Sequence, residues 1–451
     1  MTKKILFGTD GIRGTANIPP LDPASAVKAG IAIAEHFKVK CGTQKCKAVI
    51  GMDPRISSGM LSDSVSAGIR SAGCDVMVLG TVSTPLVSSF IIESGADFGI
   101  VISASHNPFE DNGIKVFNGK GTKLNDDEEL EIERIYFSGR PEKNVTGGSL
   151  GKAFIIENPD SAYVSRLISV FGTKIQSSGI KASIDLANGA TFLTAQRVFN
   201  ALLKKNVKYY SFEPDGININ DRCGALHPEQ LGTKVLSDGS DIGIAFDGDG
   251  DRFIAVDETG TVVDGDKIIG ICAQHLKKNG RLKKDTVVTT VMSNAGLEKY
   301  LIEKGIRMTR TPVGDRYVFE EMSKSGAVLG GENSGHIIFS DINPTGDGIV
   351  AALTVLEIMT ETGHRLSDLA KEIPLFPQFM SKVKVEKKIP LEEIPGLAEL
   401  IKENEAGLAG GRMLVRYSGT EPVLRVMAEG PDILKVKNSV ESVAAFIKGL
   451  K

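Results

Sequence analysis

Three aspartates alternate with glycine in Asp247-Gly-Asp-Gly-Asp-Arg252, directly after the apolar run Ile242-Gly-Ile-Ala-Phe246. In extended backbone, alternate side chains share a face, and the glycines let the chain curl around a small ion. Such a cage of hard oxygens suits Mg²⁺, with phosphate or water completing the shell. An EF-hand calcium loop is the rival: Asp247, Asp249 and Asp251 fit its first, third and fifth positions, and Glu258 its twelfth. That loop needs glycine where Arg252 stands, and helices where residues 242–246 and 253–256 read as strands. An ordinary acidic turn does not stack three carboxylates without a cation to relieve their repulsion.

A second constellation, Ser103-Ala-Ser-His-Asn-Pro108, follows the apolar run 98–102. Ligands of parallel sheets bind beyond the carboxyl ends of the strands, so Ser105 falls in the crevice and is a candidate nucleophile beside His106. Neither the G-x-S-x-G elbow nor a Ser-His-Asp order surrounds it, and a simple turn is the alternative. In Arg416-Tyr-Ser-Gly-Thr-Glu-Pro-Val-Leu-Arg425, the N–H groups and hydroxyls of Ser418, Gly419 and Thr420 can face an anion, with Arg416 and Arg425 forking onto phosphate. A solvated loop between two strands explains the same residues. Glycines surround Asp10 and Arg13 in residues 8–14, and Glu332, Asn333, Ser334 and His336 in residues 330–336. The latter group can hydrogen-bond sugar hydroxyls, although turn chemistry also accounts for both segments. No G-x-x-x-x-G-K-[ST] or G-x-G-x-x-G occurs, so the usual nucleotide and dinucleotide loops are not indicated.

The elements that must position these groups alternate. Short Val- and Ile-rich runs at 48–51, 76–79, 98–102, 182–186, 242–246 and 287–291 read as strands, while 24–37 and 62–72 carry helical spacing. The class is α/β, with mainly parallel sheets. Breaks in the rhythm divide the chain into 1–150, 151–257, 258–373 and 374–451. The last segment, ending in a helix at 433–448, reads as a smaller α+β domain with an antiparallel sheet, and the first three as distant copies of one α/β unit.

Composition narrows the function. A chain of 451 residues with 41% hydrophobic and 24% charged residues can build several cores, and a net charge of −3 without basic or acidic tails argues against nucleic-acid and membrane-surface binding. The amino-terminal stretch lacks the apolar core of a signal peptide, and the apolar run 348–359 is too short to cross a bilayer and reads as a buried helix. Five scattered cysteines suit free thiols in a reducing cytoplasm.

Taken together and in order, the motifs resemble the α-D-phosphohexomutase superfamily over nearly the whole chain. Within it, the opening Phe7-Gly-Thr-Asp-Gly-Ile-Arg-Gly14 and the loop Gly331-Glu-Asn-Ser-Gly-His336 look like the members acting on glucosamine phosphate. Relatives acting on glucose or mannose phosphates usually have methionine where Asn333 stands.

The resemblance implies three similar α/β domains with mixed sheets plus a smaller C-terminal α+β domain, each domain presenting one motif to a central cleft. Ser105 would be a phosphoserine, with His106 and Lys115 beside it. Asp247, Asp249 and Asp251 would hold Mg²⁺ together with a phosphate oxygen on Ser105. Glu332, Ser334 and His336, with Asn333 in the same loop, would grip the sugar. Arg416, Ser418, Gly419, Thr420 and Arg425 would hold the phosphate not being transferred, while Arg13 and Arg252 line the reacting one. Lys115, His336 and Arg13 are the candidates to move the hydroxyl proton.

The implied reaction interconverts glucosamine 6-phosphate and glucosamine 1-phosphate, through a glucosamine 1,6-bisphosphate that turns over in the cleft. It would feed amino-sugar (UDP-N-acetylglucosamine) synthesis in the cytoplasm. Glucose 1,6-bisphosphate is an implied activator; phosphomannomutase or phosphoglucomutase activity is the alternative. The partner is a small hexosamine phosphate, not nucleic acid or membrane, and the protein a monomer or homodimer. Two departures stand out. Tyr417 replaces the usual proline of the phosphate loop, and Pro54 interrupts an expected Asp-Thr-Arg between Asp53 and Arg55; neither falls on a proposed catalytic group.

Overall fold

The computed structural model describes residues 4–8, 10–42, 45–139, 145–386, 388–417 and 423–449. The chain forms two compact units, Met1–Val291 with Thr309–Ala370, and Met292–Met308 with Lys371–Lys451.

In the first unit, Lys47–Met52, Asp75–Thr81, Phe98–Ile102 and Ala153–Ile155 pair in parallel, and Asp111–Asn118 and Ile12–Thr15 extend the sheet with antiparallel pairing. Phe98–Ile102 is buried throughout, as expected of a central strand covered on both faces. Ile33 and Phe37 from helix Pro23–Cys41 and Leu61, Val65 and Ile69 from helix Ser58–Ser71 pack against Ile50, Val76 and Ile100 of this sheet. The first of these helices starts cleanly, because Asp22 accepts the N–H groups of Ala24 and Ser25 and Pro23 needs no donor partner.

A second sheet has the order Val262–Val263, Phe253–Asp257, Ile242–Phe246, Ala182–Asp185, Val207–Tyr210, and a third the order Arg307–Thr311, Thr286–Thr290, Leu329–Gly331, Ile337–Phe339. Each of the three sheets passes from a buried strand into an antiparallel neighbour through one of the motifs. Ile102 pairs with Ile114 across the loop containing Ser105, Phe246 with Phe253 across the aspartate loop, and Gly331 with Ile337 across the Glu332 loop. The motifs are thus tips of hairpins whose stems lie in apolar cores, which fixes both ends of each loop. The sheets are mixed rather than mainly parallel because of these return strands.

The second unit carries the antiparallel sheet Gln378–Lys384, Val423–Glu429, Arg412–Tyr417. Val383, Leu424 and Val426 form its core with Val436, Val440 and Val443 of helix Ile433–Gly449.

Helix Gly348–Thr362 is buried from Gly348 to Met359, as its apolar run indicated. The thiols differ from expectation: Cys41 and Cys46 are joined, since the short return from helix Pro23–Cys41 to strand Lys47–Met52 brings their Cα atoms to 5.8 Å. Cys74, Cys223 and Cys272 are buried free thiols.

Candidate active site

The aspartate loop is a turn and not the extended run that alternation suggested. Gly250 N–H donates to the Asp247 carbonyl at 3.1 Å, and Gly250 has φ 74°, a conformation open to glycine. The turn still brings Asp247, Asp249 and Asp251 together, one oxygen from each lying within 4.8 Å of the others, all buried. Asp249 Oδ2 accepts from Thr84 Oγ and from Lys115 Nζ, each at 2.6 Å. Among the described residues, Asp249 Oδ1 and Asp251 Oδ1 are buried without a hydrogen-bond partner. Burial, and the adjacent Asp251 and Asp249 carboxylates, push the Asp247 carboxyl up to about 8. Converging carboxylates with orphaned oxygens and mutual repulsion fit a hard divalent cation. Glu258, the residue that an EF-hand would recruit, instead accepts from Ser367.

Ser105 meets this cluster directly. Its Oγ donates to Asp247 Oδ2 at 2.6 Å and lies 3.3 Å from His106 Nδ1. Burial, aided by Arg252 and Arg13, pushes the His106 pKa down to about 4, leaving a neutral imidazole beside the hydroxyl. The two loops touch through backbone: a Cβ on Gly248 would stand 2.5 Å from the Ser105 carbonyl oxygen.

Cations surround the carboxylates. Lys115 Nζ, almost fully buried, lies 2.6 Å from Asp249, 3.2 Å from Asp10 and 3.8 Å from Asp251. Burial opposes its charge, but Asp10, Asp249 and Asp251 outweigh burial and raise its pKa above the usual lysine range. Arg13 pairs with Asp10 and donates to the Ala104 carbonyl at 3.4 Å, next to Ser105. Arg252 Nε sits 4.0 Å from Asp247 and 3.9 Å from Asp251 and has no hydrogen-bond partner among the described residues.

The loop 332–336 is tied to the aspartate loop by backbone: Phe253 N–H donates to the Gly335 carbonyl at 3.0 Å. Glu332 accepts from Gly314 N–H and Ser334 Oγ, each at 3.2 Å, and its charge acts on Arg252. The Asn333 carbonyl takes Gly265 N–H at 3.1 Å. His336 is buried, with Nδ1 3.4 Å from Asp251 and Nε2 accepting Gly346 N–H at 3.1 Å.

Four family models cover almost the whole chain. They are phosphoglucomutase/phosphomannomutase alpha/beta/alpha domains I, II and III at residues 4–143, 161–260 and 264–376, and the C-terminal domain at 380–446. A phosphoglucosamine mutase of Geobacter sp. (strain M21) is 45% identical over 99% of this chain and 98% of its own length. The chain belongs to the phosphoglucosamine mutase family of phosphohexomutases. A phosphoglucosamine mutase of Bdellovibrio bacteriovorus is 43% identical over 99% of each chain. The same fold occurs in a phosphoglucomutase/phosphomannomutase family protein of Burkholderia thailandensis, with TM-score 0.81 and 24% identity over 99% of this chain and 98% of that one. It occurs also in an N-acetylphosphoglucosamine mutase of Aspergillus fumigatus solved with GlcNAc-6P and magnesium, with TM-score 0.69 and 18% identity over 99% and 96% of the two chains.

In this mutase, sequence reasoning foresaw the groups that converge around Ser105, namely Asp247, Asp249, Asp251, Lys115, Arg13, Arg252 and His106. It missed others. Lys123 bridges Asp10 and Asp315, and Asp315 lies 3.5 Å from His336 Nε2, so a charged chain runs from the first loop to the Glu332 loop. No motif marks Lys123 or Asp315. Asp53 and Arg55 flank Pro54, and Arg55 donates to the carbonyls of Ser105, Asn107 and Pro108. In the second unit, Arg416 pairs in register with Arg425, and Arg425 with Lys382. Three cations therefore stand in one row across the sheet. Burial and Arg425 lower the Arg416 pKa. Lys382 could have been found by pairing the two strands in register. Ser418, Gly419 and Thr420 lie outside the described residues.

Proposed function

We propose that the chain interconverts glucosamine 6-phosphate and glucosamine 1-phosphate, with Ser105 carrying the phosphoryl group. The observation that carries this reading is the 2.6 Å hydrogen bond from Ser105 Oγ to Asp247 Oδ2, at the edge of three buried carboxylates whose charge calls for a cation. Asp247, Asp249 and Asp251 would hold Mg²⁺, which would supply positive charge beside the phosphoryl group on Ser105.

The substrate hydroxyl attacks phosphorus, the bond to Ser105 Oγ breaks, and the hydroxyl proton ends on that oxygen. Asp247 Oδ2 is the acceptor that faces the Ser105 hydroxyl once it is freed. Lys115, His336 and Arg13 are the groups we assign to relay the proton. Phosphoryl transfer asks mainly for position and charge, and Lys115, Arg13 and Arg252 supply the cationic surroundings. The resulting 1,6-bisphosphate turns end for end, and Ser105 takes the other phosphate by the reverse step. Glu332, Asn333, Ser334 and His336 belong to the sugar side. The row Arg416, Arg425 and Lys382, with Ser418, Gly419 and Thr420, holds the phosphate that is not transferred. Our division into residues 1–150, 151–257, 258–373 and 374–451 gives each segment one of these loops.

Glucose 1,6-bisphosphate is the proposed activator. Among the described residues, no helix is long and apolar enough to cross a membrane, and the cytoplasm is the compartment we assign.

The test is a panel assay of glucosamine, glucose and mannose 6-phosphates with Mg²⁺. Glucosamine 6-phosphate should lead in kcat/KM by about tenfold or more, a difference of about 1.4 kcal/mol. Equal or faster turnover of mannose 6-phosphate would overturn the substrate assignment. Release of inorganic phosphate with no isomer formed would replace the mutase by a phosphatase.

A further inference from the structure

Ser105 has φ 53°, in the left-handed region that a residue with a Cβ leaves unless its surroundings hold it there. The surroundings are specific. Arg55 Nη2 donates to the Ser105 carbonyl at 3.0 Å and to the Asn107 carbonyl at 2.8 Å, while Nη1 reaches the Pro108 carbonyl. Asn220 Nδ2 donates to the same Ser105 and Asn107 carbonyls at 2.9 and 3.3 Å. The guanidinium is itself fixed, because Nε donates to Asp53 Oδ2 at 2.9 Å and both side chains are fully buried. Asp53 Oδ1 accepts Ser58 Oγ at 2.7 Å and Arg55 N–H at 3.1 Å, and Asp53 N–H donates to the Ile102 carbonyl at 3.0 Å, at the base of the serine loop.

We propose that Arg55, seconded by Asn220, is a positioning residue for phosphoryl transfer, gathering the carbonyls of the serine loop so that Ser105 Oγ faces the metal-binding carboxylates. The proposal rests on the reading of Ser105 as the phosphoryl carrier. The chemistry selects arginine. One planar group must meet a carboxylate and three carbonyls at once, and the guanidinium offers five donors in a fixed fork where an ammonium offers three without a plane. Asn220 comes from outside the first sheet, following Val207–Tyr210, and its N–H is anchored on the Ala187 carbonyl at 2.9 Å. The serine loop is therefore held from two directions, while Oγ remains free to react. Neither residue touches a reacting atom, so the expected signature is a loss in kcat rather than in substrate binding.

The test uses Arg55→Lys and Asn220→Ala in the full chain, with kinetics on glucosamine 6-phosphate, melting curves and crystal structures. In Arg55→Lys, kcat per folded molecule should fall by about 10² while KM stays within about threefold; Asn220→Ala should show a smaller loss of the same kind. In the crystals, Ser105 should leave its positive φ or its Oγ should draw away from Asp247. A kcat within twofold of the unsubstituted protein in both variants, with Ser105 unmoved, would overturn the proposal. If Arg55→Lys does not fold, Asn220→Ala decides alone by the same criteria. If the unsubstituted protein shows no isomerisation, the mutase reading fails, and the conformation of Ser105 in the variants still decides whether Arg55 and Asn220 position it.

Discussion

Adding one methyl group at Gly248 is a minimal way to force the serine and aspartate loops apart. A Cβ there would lie 2.5 Å from the Ser105 carbonyl oxygen, 2.7 Å from Asn220 Nδ2 and 2.9 Å from Ile219 Cδ1, whereas ordinary contact begins at 3.4 Å. Relief of the first clash requires a displacement of roughly 0.9 Å, the difference between 3.4 and 2.5 Å. The Ser105 carbonyl cannot yield cheaply, because Arg55 and Asn220 already bind it. The shift passes instead to Asp247, one residue away, which takes the Ser105 hydroxyl. A misplacement of about 1 Å at a reacting centre slows catalysis by about 10², or about 2.7 kcal/mol of barrier. Overpacking should also remove about 1–3 kcal/mol of stability. Initial rates on glucosamine 6-phosphate and melting curves of Gly248→Ala read both effects. Gly59→Ala is the control, since its Cβ meets nothing within 4 Å, and it should keep full activity. A Gly248→Ala protein with kcat within threefold of the parent would refute the backbone contact between the two loops.

Adding Mg²⁺ to chelator-treated protein should raise the melting temperature, by about 2.7 kcal/mol of stability at a hundredfold excess over Kd, and Asp249→Asn with Asp251→Asn should abolish the rise; an unchanged rise in that double variant would place the cation elsewhere. Lys115→Met leaves Asp10, Asp249 and Asp251 without their buried ammonium and should lose about 3–5 kcal/mol in urea unfolding without divalent cations. Lys382→Met removes one cation of the row facing Arg425 and should raise KM about tenfold, about 1.4 kcal/mol, with kcat within twofold in steady-state kinetics.

Much of this site could be read from residue order because the chemistry is concentrated in hairpin tips. Asp247, Asp249 and Asp251 announce a cation by charge alone, and Ser105 gains its place from the apolar strand before it. The geometry of the aspartate loop was not legible: alternation suggested extended backbone, but Gly250 at positive φ turns the chain, and the carboxylates converge across the turn. Contacts between distant segments were hidden for a different reason. Asn220, Lys123 and Asp315 lie in unremarkable local sequence, and Arg55 in a segment noted only for Pro54; their roles arise when separate elements bring them against the Ser105 carbonyl, Asp10 or His336. The alternating apolar runs suggested mainly parallel sheets, and only the family resemblance implied mixed ones, because run composition does not mark a strand that returns antiparallel through a hairpin. The Cys41–Cys46 link escaped because the reading rested on compartment, while the close approach depends on how one helix returns to its sheet.

The most direct measurement is a transfer experiment followed by peptide mapping. Protein treated with glucose 1,6-bisphosphate should carry one phosphate, on Ser105, and lose it to glucosamine 6-phosphate with formation of glucosamine 1,6-bisphosphate. Phosphate mapped to another side chain, or full isomerisation by a Ser105→Ala protein, would contradict the mechanism.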